Sequence, residues 1–172
     1  ADHIYYWMHA LERASRATGT RRLGGQVWFA GFARTIRSRL LASVPGGGWR
    51  VRRGIRVENL AFALMVLRRG VEPLAFGSFD PDGVDVLPSR LGGVAVAVSR
   101  ACERQVGWTR IDLRDSPEYW RRLPVVFVHG RVDSAWLVDA DSIELRRIGA
   151  YLNSGGLVIA LSDDQGRFAS RL

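Results

Sequence analysis

The chain contains no lysine and only one cysteine, Cys102, and these absences exclude several kinds of site. A single cysteine forms neither an internal disulfide nor a cysteine-rich zinc site, and without lysine no Walker phosphate loop is present. No apolar run reaches the roughly 18 residues that a bilayer crossing requires, since the longest covers residues 60–67. What remains, with 47% hydrophobic and 24% charged residues in 172, is the composition of an ordinary globular domain.

Positive charge is concentrated in the N-terminal part of the chain. Residues 1–70 hold 13 arginines against three acids, a balance of +10, whereas residues 71–172 hold 12 arginines against 14 acids, a balance of −2. This arginine-rich half is the predicted surface for an anionic partner, which is a nucleic acid, a lipid headgroup or an acidic protein. The residues predicted to form it, on one face of a strand, are Arg50, Arg52 and Arg56.

Two simpler explanations compete with a binding role for the arginines. Complete use of arginine in place of lysine is typical of a coding bias, and arginine stems also cover apolar surface while their charged ends stay in water. No nucleic-acid-binding motif accompanies the charge, so nucleic acid is a possible partner that the sequence does not favour.

The first 20 residues are predicted to form an appended amphipathic helix, capped by Asp2 and ended by Gly19, and residues 21–172 a single α/β domain. The apolar stripe of this helix consists of Ile4, Tyr5, Met8 and Leu11, with Tyr6 and Trp7 beside it. These aromatic residues need a partner surface in the same chain or in another protein. The elements predicted next are a strand at 27–32, a short helix at 35–43, a half-buried strand at 49–57 and a buried helix at 58–69.

The last third of the chain predicts a parallel βαβ unit. Residues 124–128 are a continuous apolar run, typical of a central strand covered on both faces. A helix follows, with Asp141 and Glu144 as a capping box and a buried face of Ile143, Leu145, Ile148 and Leu152. Residues 157–161 return as the next buried strand, so the sheet is at least partly parallel. The remaining elements are a strand at 72–79, a strand or helix at 92–105, a strand at 109–113 and a helical turn at 116–122.

Polar side chains follow the predicted strands where each one ends, and ligands of open parallel sheets bind outside these carboxyl ends. The candidate ligand-binding residues are therefore His129, Gly130, Arg131, Asp133, Ser162, Asp163 and Asp80, with Asp82 and Asp164 at the same edge. Within this set, the candidate catalytic residues are His129, Asp163 and Asp164, which suit acid–base chemistry. Turn formation and helix capping explain the carboxylates equally well, and neither a metal nor a cofactor is predicted.

Known catalytic patterns do not extend over these residues. Residues 124–130 are similar to the strand and His-Gly of α/β-hydrolases, but no Gly-x-Ser-x-Gly elbow and no later histidine follow His129. Cys102 lacks the flanking glycines of a nucleophile elbow and is predicted to be a small buried apolar residue.

A series of short motifs runs from residue 107 to residue 168. It comprises Asp115-Ser116-Pro117, Leu123-Pro124 before a strand that ends in Gly130, a helix with Leu145, Arg146, Tyr151 and Leu152, then Gly155-Gly156, and a strand that closes on Ser162, Asp163, Asp164 and Phe168. In order and spacing, this segment resembles an uncharacterised bacterial domain family of the class I glutamine amidotransferase-like superfamily.

The resemblance implies a flavodoxin-like three-layer α/β sandwich with a mostly parallel central sheet, often found in periplasmic or cell-envelope proteins and without an established activity. True amidotransferases need an elbow cysteine with a later histidine and glutamate. Because this chain lacks that triad, glutaminase activity is not expected.

The predicted function is a noncatalytic α/β domain that binds or scaffolds a protein partner, another anionic partner or a second copy of itself. The first alternative is a hydrolase-like enzyme that uses His129 with Asp163 or Asp164. The second alternative is a nucleic-acid-binding protein, whose affinity would fall steeply with salt.

Overall fold

A computed structural model describes residues 3–68, 74–83, 88–131 and 133–161, together with Phe168 and Leu172. The chain divides into two compact units, Ala1–Glu72 (unit 1) and Pro73–Leu172 (unit 2). The predicted boundary after residue 20 does not coincide with this division. None of the helices in the described ranges has the length and apolar character needed to cross a membrane.

The described residues of unit 1 form three helices and two short antiparallel hairpins. Its elements are α1 (Ile4–Thr18), β1 (Arg22–Leu23), β2 (Gln26–Val27), α2 (Trp28–Leu40), β3 (Leu41–Ser43), β4 (Trp49–Val51) and α3 (Val57–Arg68). The three helices share one core, made of Tyr5, Met8, Ile36, Leu40, Ala63 and Val66. The N-terminal helix therefore packs within its own chain, and it ends at Gly19 with φ 66°, the left-handed conformation that glycine favours. Asp2, its predicted cap, lies outside the described residues.

The strand predicted at residues 27–32 is wrong beyond Val27, which belongs to β2, because residues 28–32 are the beginning of α2. Trp28, Phe32, Ile36 and Leu40 recur every four residues and therefore lie on one face of a helix. Trp28, Ile36 and Leu40 are buried, and the Trp28 and Phe32 rings lie 5.3 Å apart. The helix predicted at 35–43 consequently begins at Trp28 and ends at Leu40.

Two other predictions for unit 1 are wrong about how far an element extends or how deeply it is buried. The strand predicted at 49–57 stops at Val51, because only three residue pairs join β3 to β4, and both Trp49 and Val51 are exposed. The helix predicted at 58–69 is present as α3, but it is not buried all round. Its buried residues are Ala63 and Val66, whereas Leu64 and Met65 are exposed.

Unit 2 is a mixed α/β fold built on a four-stranded parallel sheet. Its elements are β5 (Leu74–Phe79), α4 (Pro88–Ala101), β6 (Gly107–Ile111), α5 (Pro117–Trp120), β7 (Val125–His129), α6 (Ala135–Val138), α7 (Ile143–Asn153) and β8 (Leu157–Leu161). The strands lie in the order β6-β5-β7-β8, and every neighbouring pair is parallel. Phe127 is paired with Ile159, which confirms the predicted parallel βαβ unit.

Helices cover both faces of this sheet, consistent with an α/β sandwich. On one face, Leu91 and Ala95 of α4 pack with Phe76 of β5 and Trp108 of β6. The opposite face carries α5, α6 and α7, and its larger core consists of Phe79, Ile111, Trp120, Leu123, Val126, Val128, Trp136, Leu137, Ile148, Tyr151 and Phe168.

The structure corrects two details of the βαβ unit. Strand β8 is not a buried strand: it lies at the sheet edge, where Leu157 and Ile159 are exposed. Helix α7 is capped by Ser142 rather than Asp141, since the Ser142 hydroxyl oxygen accepts a hydrogen bond from the backbone N–H of Leu145 at 3.2 Å. Its buried residues are Ile148 and Tyr151, whereas the predicted core residues Ile143 and Leu152 are exposed.

Candidate functional site

The carboxyl edge of the unit 2 sheet brings together two of the predicted site residues, His129 and Asp80. His129 is the last residue of β7, and Asp80 directly follows β5. Phe79 is paired with Val128, so the next position on each strand places Asp80 beside His129. Side chains alternate along a strand, and both residues therefore lie on the face that α4 covers.

His129 is buried to an unusual degree for a polar residue at the end of a strand. Its relative exposure is 3%, and its Nδ1 atom is buried without a hydrogen-bond partner among the described residues. Leaving such a group unsatisfied typically costs about 1–3 kcal/mol. A polar atom of this kind in a native site calls for an explanation, and a ligand or an ordered water would supply it.

The loops that follow β5 and β7 are tied together by one serine. The Ser134 hydroxyl donates to the carboxylate of Asp82, and its oxygen accepts a hydrogen bond from the backbone N–H of Arg131 at 2.9 Å. Arg131 and Asp133 form an ion pair with each other at 3.1 Å, and both side chains are about two-thirds exposed. These two predicted ligand-binding residues therefore neutralise each other at the surface, where such a pair contributes little to stability.

Close packing explains why residue 130 is a glycine. A Cβ atom at Gly130 would lie within 2.5–2.9 Å of ring carbons of Phe168 and Trp136. Both rings are buried, at 0% and 7% exposure, so neither has room to move. Gly130 therefore lets the loop after β7 approach these rings, a structural role that needs no ligand.

The remaining predicted residues of this edge, Ser162, Asp163 and Asp164, lie outside the described residues. Cys102 is exposed in the turn after α4, so its predicted burial is wrong. Within the described ranges, no three His, Cys, Asp or Glu side chains are grouped in a way that would hold a metal ion.

The second candidate site is the hairpin of unit 1 that carries the predicted arginine surface. Arg50 lies in β4, but Arg52 and Arg56 lie beyond the end of that strand. Arg52 donates from Nε to the carbonyl oxygen of Leu41 at 3.1 Å, and Arg56 pairs with Glu58 at 3.0 Å. The prediction that all three share one strand face is therefore wrong, because β4 ends too early.

The structure adds two arginines to this surface. Arg53 is exposed in the turn after β4, and the Arg37 guanidinium of α2 lies 4.9 Å from the centre of the Trp49 ring. We call Arg37, Trp49, Arg50, Arg52 and Arg53 the arginine hairpin. The sequence signal for Arg53 is a charged residue at a position where the two-residue strand period calls for an apolar one.

Very little negative charge in unit 1 opposes these arginines. Of its acids in the described ranges, Glu12 is 5% exposed and lies 3.8 Å from His9. The other, Glu58, is paired with Arg56. Its pKa lies below the usual value because the carboxylate accepts hydrogen bonds from its own backbone N–H and from Arg56. The side chains of Arg50 and Arg53 are exposed, and neither side chain forms an ion pair or a hydrogen bond within the described part of the chain.

Comparisons with protein-family models, with curated proteins and with solved structures found no match to this chain. The resemblance of residues 107–168 to the amidotransferase-like superfamily therefore stays a prediction.

Proposed function

We propose that the protein is a noncatalytic α/β binding module that holds an anionic partner on the arginine hairpin of unit 1. The observation that carries this proposal is the unpaired state of the Arg50 and Arg53 side chains, in a unit where one described acid, Glu12, is buried and the other, Glu58, is paired with Arg56. An exposed cluster of one charge sign attracts partners of the opposite sign and speeds their association.

Two arginines of the hairpin are already held in place. Arg52 is bonded to the Leu41 carbonyl oxygen, and Arg37 lies over the Trp49 ring. A guanidinium presents its donors in a planar fork that matches carboxylate and phosphate groups. Because these side chains are partly ordered before binding, less conformational entropy is lost when a partner arrives.

Charge reversal at the unpaired arginines tests the proposal. We expect Arg50→Glu/Arg53→Glu to weaken binding of a fluorescent polyglutamate peptide by about tenfold or more at low salt, with the difference shrinking near 0.5 M salt. The matched control is Arg121→Glu/Arg146→Glu, which makes the same change in net charge on exposed positions of unit 2. Fluorescence anisotropy measures both affinities.

Equal losses in the two double variants would mean that only net charge matters, and unchanged affinity in the hairpin variant would reject the proposed surface. The same titration with a single-stranded oligonucleotide of about 20 nucleotides separates the partner classes. Much tighter oligonucleotide binding with a steep salt dependence would favour the nucleic-acid alternative.

The flavodoxin-like assignment of unit 2 belongs to the same proposal. Its support is the strand order β6-β5-β7-β8. The second strand along the chain, β6, is added on one side of β5, and the next two, β7 and β8, are added on the other side. Doubly wound sheets share this reversal, and their ligands bind at the point where it occurs. In unit 2 that point lies between β5 and β7, where Asp80 and His129 are neighbours.

A second candidate function is a hydrolase-like enzyme centred on His129. The observation that favours it is the buried imidazole with an unsatisfied Nδ1 at this switch point. His129 would act as the general base, and Asp80 would orient its ring.

A substrate panel tests the enzyme hypothesis. If it is right, the protein hydrolyses at least one member of a set of p-nitrophenyl esters and phosphates, and His129→Gln lowers kcat by about 100-fold or more. His9→Gln, in unit 1, leaves kcat unchanged. Absence of turnover in the unmodified protein, or turnover that survives His129→Gln, would remove the hypothesis.

A further inference from the structure

Helix α3 has an apolar outer face as well as an apolar inner face. Its inner residues Ala63 and Val66 are buried in the core of unit 1. The outer stripe, which we define as Val57, Ala61, Leu64 and Met65, follows the spacing of one helix face and is exposed. Val57 is 80% exposed and Leu64 is 59% exposed. Because a surface helix normally carries polar residues on this side, the stripe needs a partner.

The apolar surface continues from α3 onto α1. The Tyr6 ring meets the Phe62 ring of α3 edge-on, with 5.6 Å between centroids. Tyr6 itself is 57% exposed, and the next residue, Trp7, is 64% exposed. Exposed Tyr and Trp side chains are enriched where proteins meet the headgroup region of a membrane.

Positive charge lies at both ends of α3. Residues 50–68 hold five arginines, four before the helix and Arg68 as its last residue, against the single acid Glu58. The unpaired Arg50 and Arg53 belong to this set. Unit 1 therefore combines an exposed apolar face on α3 and α1 with arginines that flank α3 along the chain.

We propose that unit 1 docks on the surface of an anionic lipid bilayer, with the outer stripe at the boundary between headgroups and acyl chains and the arginines on lipid phosphates. This inference rests on the proposed function, because it names the anionic partner of the arginine-rich unit. Apolar burial and attraction to anionic lipid act together in this mode of binding. Helix α3 has 12 residues and is about 18 Å long, too short to span a hydrocarbon core of roughly 30 Å, and the proposal therefore places it in the plane of the surface.

Charge distinguishes the bilayer from other occupants of the stripe. A second copy of the chain would bring two arginine-rich surfaces together, which like-charge repulsion disfavours. Single-stranded nucleic acid would stack on Tyr6 and Trp7, but the aliphatic Val57, Leu64 and Met65 offer it no stacking platform, whereas a bilayer accommodates both kinds of side chain. Phosphatidylglycerol supplies both the apolar boundary and the negative charge.

The test is co-sedimentation of the full chain with lipid vesicles. We expect binding to phosphatidylcholine vesicles that contain roughly one quarter phosphatidylglycerol, and much weaker binding to pure phosphatidylcholine. Leu64→Ser/Met65→Gln should lower the partition coefficient by about tenfold. The control Ile143→Ser/Leu152→Gln removes two equally exposed apolar residues from α7 of unit 2 and should leave the coefficient unchanged.

Each other outcome has a definite meaning. Vesicle binding that needs Arg50 and Arg53 but not Leu64 and Met65 would be simple electrostatic adsorption, which overturns the inference and leaves the proposed function standing. Polyglutamate binding without vesicle binding would also overturn the inference and leave the proposed function standing. A dimer in sedimentation equilibrium that dissociates in the Leu64→Ser/Met65→Gln variant would assign the stripe to a second copy. If neither vesicles nor polyglutamate bind, the proposed function itself fails.

Discussion

Trp120→Ala is expected to lower the free energy of unfolding of unit 2 by about 3–5 kcal/mol, the usual cost of truncating a large buried aromatic side chain to alanine. Trp120 is 1% exposed, and its ring meets Phe79 at 4.9 Å and Tyr151 at 6.1 Å, edge-on in both cases. Its Nε1 atom also donates to the carbonyl oxygen of Asp112 at 3.4 Å. The substitution therefore leaves a cavity and removes a hydrogen bond at the same time.

Native-state hydrogen exchange at the amides of β7 measures this loss, because central strands exchange only through large-scale unfolding. Trp7→Ala is the control, since Trp7 is 64% exposed, and we expect it to cost less than about 1 kcal/mol. A Trp120→Ala variant that protects β7 as well as the Trp7→Ala variant does would show that the ring does not belong to the core.

Gly156→Ala is expected to cost about 2–4 kcal/mol, because a Cβ atom at this position would overlap the Tyr151 ring. The Tyr151 ring has little room to move, because it is 3% exposed and its hydroxyl donates a hydrogen bond to the Leu123 carbonyl oxygen at 2.7 Å. Burial raises the pKa of Tyr151, so the phenol keeps the proton that it donates. Making room for the methyl group would displace the ring and break this bond.

Gly149→Ala is the matched control within the same βαβ unit. Gly149 lies in α7, and a Cβ atom there would meet nothing within 4 Å. Alanine should therefore stabilise the helix by about 0.5–1 kcal/mol. Chemical denaturation of both variants gives the comparison, and a Gly156→Ala protein as stable as the Gly149→Ala protein would contradict the packing of Tyr151 against residue 156.

The sequence predicts the fold best where one physical signal dominates. Residues 124–128 and 157–161 are apolar runs on either side of a capped helix, and they form the adjacent parallel strands expected. A run of apolar residues does not reveal whether its strand lies inside the sheet or at its edge, which is why Leu157 and Ile159 are unexpectedly exposed. The apolar run at 27–32 predicts a strand, and this prediction is wrong because periodicity does not separate strand from helix in so short a run, whereas packing on the core of unit 1 favours the helix.

The candidate sites show the same limit. The position of His129 beside Asp80 follows from strand ends and could be predicted. The contact of Gly130 with Phe168 joins loops far apart in sequence, so no local pattern reveals it. The pairing of Arg56 with Glu58 does not follow from the strand predicted at 49–57, because alternation along that strand would direct the Arg56 side chain elsewhere.

The contact surface for the anionic partner is located most directly by hydrogen–deuterium exchange of the full chain with and without the polyglutamate peptide. The predicted result is slower exchange in residues 49–56, around Arg50 and Arg53, and no change at the loops that follow β5 and β7. Protection confined to the edge around His129, with residues 49–56 unchanged, would contradict the assignment of partner binding to unit 1.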